Sequence, residues 1–157
     1  MVPHKPFVEE VKIDGVILSR LMPDEDLFTA LKKIAKDYGV ERGVILSAIG
    51  SLKNVAIRNV KTNIDVPVKL ENTNEMEEAG PFELLSLEGN IFPSENDGDL
   101  MIHLHVTLGS PSGNVMGGHL VKATIFTTGE IVIGKIEGSS VYKAKSDMTG
   151  LMELLKR

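Results

Sequence analysis

The chain has 157 residues, 42% of them hydrophobic and 25% charged, with no cysteine and a net charge of −5. That length supports one domain with a real core, and the composition is that of a globular protein. The absence of cysteine rules out disulfides, thiolate metal sites and cysteine nucleophiles, while the apolar runs are too short for a membrane-spanning helix.

No basic segment followed by an apolar stretch opens the sequence, so no secretory signal is visible. A cytoplasmic location fits these features. The acidic balance also argues against DNA, because binding to the phosphate backbone draws on clustered cations. Here the basic residues are scattered. Aromatic residues are 4% of the chain, with no tryptophan, which leaves no obvious platform for base stacking.

Residues 8–13 and 16–21 are apolar-rich and flank Asp14-Gly15, a hairpin signal. Residues 24–38 follow Pro23. They carry Leu27, Leu31, Ile34 and Tyr38 at helical spacing, with Phe28 and Ala35 beside them. Acids at the start, lysines toward the end and Gly39 after it predict an amphipathic helix. Residues 43–51 read as a buried strand ending in a glycine turn, with 55–59 as its hairpin partner. Residues 66–70 form a weaker strand signal, and 71–80 read as an acidic loop. Residues 82–88 are strand-like, 89–99 irregular and 100–108 a clear strand. Residues 120–126 and 130–136 flank Thr127-Thr128-Gly129, another hairpin signal, and the tail from 146 suggests a short helix. The expected fold is a single α+β domain over residues 1–157. It has eight or nine strands in a curved antiparallel sheet or partial barrel, covered by one main helix.

Three of the four histidines fall within residues 103–119, which read HLHVTLGSPSGNVMGGH. Strand alternation puts Ile102, Leu104, Val106 and Leu108 on one face and His103, His105 and Thr107 on the other. Two strand rises separate the two imidazoles by about 6–7 Å at Cα, close enough to reach one ion. The turn at residues 109–113 lets the chain return beside that strand and bring His119 to the pair. Gly117-Gly118 permits close backbone approach.

Three imidazoles form an open site of the kind that holds catalytic zinc and leaves a fourth position for water or a ligand. A divalent transition metal is therefore the expected cofactor. Zinc is favoured, although nickel, iron and manganese also accept imidazole. Two plainer readings compete. The histidines decorate an exposed sheet face without function, or they are buried at a subunit contact. Glu88 and Glu130 border strands and are candidates for orienting a ligand or acting as a general base; for each, an exposed strand-end acid is the plainer reading. No dinucleotide-binding glycine pattern opens a helix, and no serine sits in a nucleophile elbow. No catalytic residue is identified.

Several blocks together resemble the PPC family, the plants and prokaryotes conserved domain also called DUF296. These are residues 16–21 leading into the helix, GVILSAIGSL at 43–52, GPFELLSLEGN at 80–90, and the histidine segment. The resemblance covers nearly the whole chain and is most specific in the last two blocks. It implies an antiparallel sheet with a packed helix, and a homotrimer. Plant members join this domain to AT-hooks, but this chain has no Arg-Gly-Arg-Pro core; its nearest stretch is Glu41-Arg42-Gly43-Val44. Plant domains typically lack histidines at the positions of His103, His105 and His119. Having all three resembles prokaryotic members, some of which look like metal-containing proteins. The expected function is a small trimeric metal-binding protein with an open position for a small-molecule ligand. The alternative is a regulatory or assembly module, bound to protein or DNA, without chemistry.

Overall fold

A computed structural model describes residues 5–156 of the chain. Residues 1–4, where the stretch read for a secretory signal begins, and Arg157 lie outside the described residues. The elements run β1 (Lys12–Leu21), α1 (Leu27–Asp37), β2 (Gly43–Val60), β3 (Thr73–Pro93), β4 (Leu100–Gly109), β5 (Val115–Glu137), β6 (Val141–Lys145) and β7 (Met152–Lys156). Five strands form one antiparallel sheet in the order β1-β5-β2-β3-β4, and β4 pairs again with the start of β5. That second pairing curls the sheet back on itself, as the expected α+β class with a curved antiparallel sheet requires. A separate antiparallel hairpin joins β6 to β7.

Helix α1 forms because Asp26 caps it, its carboxylate accepting from the Thr29 N–H at 2.8 Å. Leu27, Leu31 and Ala35, four residues apart, are fully buried. They pack with Ile57, Ile91, Leu104, Leu108, Ile125 and Ile133 from four strands. This single apolar cluster lies between the helix and the concave face of the sheet. The helix is shorter than the expected 24–38: residues 24–26 serve as turn and cap, and Tyr38 is exposed rather than part of the buried stripe.

The strands are fewer and longer than expected. Asp14-Gly15 makes no hairpin. It sits inside β1, where three steps from Ile13 to Val16 face two steps on β5, an extra-residue bulge. Residues 43–51 and 55–59 are one strand, β2, and residues 120–126 and 130–136 are one strand, β5. The acidic stretch at 71–80 is largely the first half of β3, which extends to Pro93 through part of the segment read as irregular. Residues 66–70 form no strand and lead into a single 3₁₀ turn at Leu70–Asn72. The expected tail helix is instead strand β7.

Candidate metal centre

The histidines stand on the face of β4 turned away from the core. Leu104, Val106 and Leu108 are buried, while His103 and Thr107 are half-buried and His105 is exposed. His105 lies directly opposite His119 on β5, and His103 is two residues along the same face. Directly paired residues in an antiparallel ladder share a face, so the three rings converge. Their centroids are 4.9–5.5 Å apart. One ring nitrogen from each lies within 4.8 Å of the others.

The approach of β5 depends on its glycines. Gly118 has φ +151°, and a Cβ there would meet the Asn59 Oδ1 at 1.9 Å. The amide of Asn59 donates to the Gly117 carbonyl at 3.2 Å, tying the backbone just before His119 to the end of β2. A side chain at 118 would displace the Asn59 amide and strain the backbone next to His119.

Burial and neighbouring cations favour the neutral form of two of the rings, His103 and His119. The pKa of His103 is pushed down to about 4, first by burial and then by Lys143, His119 and His105. That of His119 is also pushed down, by burial first and then by His105, Arg58 and Lys143. At neutral pH both are free bases, the form that ligates a metal.

The donor set fits a transition-metal ion. Nitrogens bonded to zinc at about 2.0–2.1 Å in a tetrahedral shell lie about 3.3–3.4 Å apart. The Nε2 atoms of His103 and His105 are 3.3 Å apart. Asn90, opposite His103 on β3, has a buried Oδ1 without a hydrogen-bond partner among the described residues. An acceptor therefore stands open beside the first ligand. His103, His105 and His119 would hold the ion, which supplies Lewis acidity and a site for an exchangeable ligand.

Glu88 lies opposite His105 on β3, exposed, in a shallow hollow shared with Thr107 and the Gly117-Gly118 backbone. It flanks the triad without joining the cluster of ligand atoms. Glu130 is on the far half of β5, opposite Arg20 and Ile49, and the structure does not bring it to the histidines.

Two residues beside the triad carry no signal in the sequence. Arg58 faces His119 across the β2–β5 pair and is held by Glu75, its Nε donating at 3.0 Å. Lys143 on β6 is buried, with its Nζ 3.3 Å from His103 Nδ1. Its strand is fixed by backbone: the Glu95 N–H donates to the Lys143 carbonyl at 2.9 Å, and Val68 N–H to the Thr149 carbonyl at 2.7 Å. The hairpin thereby roofs a cavity of about 1080 Å³ with the three histidines in its lining.

The chain is 29% identical to a plant- and prokaryote-conserved (PPC) protein of Pyrococcus horikoshii. The structures match with a TM-score of 0.78 over 97% of this chain and 100% of that one. A metal-containing protein of Archaeoglobus fulgidus matches with a TM-score of 0.81 at 29% identity, over 96% of this chain and 100% of that one. A bifunctional GlmU protein of Synechococcus is 31% identical over 136 residues, 86% of this chain. The chain spans about a fifth (19%) of the length of that curated relative. The Plants and Prokaryotes Conserved (PCC) domain matches residues 8–137, and the chain belongs to that family.

Proposed function

We propose that this protein binds one divalent transition-metal ion, zinc in the first instance, through His103, His105 and His119. The ion keeps a position open to a small ligand. One observation carries this reading: three imidazoles from two paired strands bring ligand nitrogens within 4.8 Å of one another. No thiolate or carboxylate joins them among the described residues, so the ligand set has three members and leaves a tetrahedral ion one vacancy. The metal-containing Archaeoglobus relative supports the same reading.

We further propose that the chain works as a homotrimer. Exposed apolar side chains, including Val16 and Leu18 on edge strand β1 and Ile49 on central strand β2, at 59%, 77% and 58% exposure, are suited to burial between copies. Light scattering should then give three times the 17.1 kDa chain mass; a monomer mass at micromolar protein refutes that part.

The metal reading is tested by elemental analysis of untagged protein purified without chelator or a nickel column. About one equivalent of metal per chain is expected. His105→Ala should lower it at least tenfold while the fold persists, because His105 is exposed and supports no core contact. No metal, and none taken up on titration, overturns the proposal.

A further inference from the structure

Lys143 is 3% exposed, and among the described residues no carboxylate lies within ion-pair distance of its ammonium. Among the described residues its one polar side-chain contact is His103 Nδ1. A buried ammonium without a counter-charge is costly. The other cations of the cavity are engaged or exposed. Arg58 is bound by Glu75, Lys69 lies 3.9 Å from Glu71, and Lys145 is exposed. The acid that lines the cavity, Asp147, is exposed and forms no ion pair with Lys143.

Metal binding sharpens the imbalance. Three imidazole ligands bring no negative charge, so a divalent ion on the Nε2 side of His103 and the Lys143 ammonium on its Nδ1 side would stand close together with no carboxylate paired to the lysine. An imidazole that ligates through Nε2 carries its proton on Nδ1 and no longer accepts a hydrogen bond there. The hydrogens of Lys143 are then left for a ligand. Beyond this cationic end the cavity wall is apolar, with Val60, Val68, Ile102 and Leu151 among its lining.

We propose that the cavity binds a small organic carboxylate, its head on the Lys143 ammonium beside the His103 ring and its hydrocarbon body on the apolar wall. This deepens the metal-site reading and rests on it. A single unpaired ammonium suits a monoanionic head. A phosphate would call for a free guanidinium fork, and the one arginine of the cavity is already occupied by Glu75. The recognising lysine belongs to the hairpin β6–β7, which lies beyond the residues 8–137 matched by the family.

The test loads the chain with Co²⁺ and follows the visible absorption of the ion. Sodium isovalerate, sodium acetate and inorganic phosphate are titrated separately at constant ionic strength, with calorimetry in parallel. Isovalerate should perturb the cobalt spectrum and bind at least tenfold tighter than acetate, since it buries up to three more carbons. Lys143→Met should weaken isovalerate at least tenfold while cobalt still binds. If Lys143→Met fails to fold, the comparison among the three anions on the native chain decides alone. Cobalt bound but indifferent to isovalerate, or phosphate binding tighter than isovalerate, overturns the carboxylate proposal and leaves the metal site standing. Failure of the native chain to bind cobalt overturns the metal reading, and this proposal with it.

Discussion

In metal-free protein, His103→Asn should flatten the dependence of stability on pH. The imidazole has a pKa of about 4 in the folded chain against 6.5 when unperturbed, and burial is the largest cause. Between those values the unfolded chain binds the proton and the folded chain does not. The stability contributed by His103 is therefore fully present above pH 6.5 and is lost as pH falls toward 4. Integrated from pH 7.5 to 4.5, an undiminished shift of this size amounts to about 2.6 kcal/mol. The ring is only half-buried, and solvent screening reduces the figure to about 1.3 kcal/mol. Asparagine retains a polar group that can face Lys143 but does not titrate. The assay is urea denaturation with chelator present at both pH values, for native and variant chains. His119 shifts in the same direction and is present in both, so to first order it cancels. The native chain should lose about 1 kcal/mol more than the variant on going from pH 7.5 to 4.5. Equal losses, or a larger loss in the variant, would refute the claim that this ring is held neutral by its surroundings.

Gly50→Ala should destabilise the fold by more than about 2 kcal/mol, because its φ is +147° and the added Cβ would sit 2.1 Å from the Thr128 carbonyl oxygen. Urea denaturation reads it directly, and a change under about 0.5 kcal/mol would show that β2 and β5 do not cross as closely as described. Asp26→Ala should cost about 1 kcal/mol by removing the cap of α1. An unchanged denaturation midpoint would mean that the helix start is held by packing of Leu27 alone.

The sequence misled most where glycines stood in the middle of long strands. Gly50 and Gly129 are register partners, so both strands carry their turn-like residue at the same point. The pair permits close approach and a bend, whereas read one strand at a time each glycine looks like a reversal. Asp14-Gly15 has the local chemistry of a two-residue turn, yet pairing with β5 on both sides turns it into a bulge. In each case the deciding information is the partner strand, which local pattern does not contain. The tail fails for the same reason. MELLK is built from good helix formers, and pairing with Val141–Lys145 overrides that preference.

The histidine cluster was legible because its determinants are local: a two-residue alternation, one turn and a glycine pair place His119 opposite His105 with no long-range information. Lys143 was not legible, since nothing in VYKAK points to a residue forty positions earlier, and its strand reaches the site through backbone bonds near Glu95 and Val68. The two halves of the site therefore differ in kind. The three histidines belong to the sheet that the family shares, and the lysine that lies against one of them belongs to a hairpin beyond the matched residues. A change confined to β6–β7 can alter which ligand the cavity prefers without disturbing the three ligands. Substitutions in β4 or β5 remove the metal first and leave ligand preference with nothing to act on. Metal content and ligand selectivity should accordingly separate by element: mutants of the sheet lose both, and mutants of the hairpin lose selectivity alone.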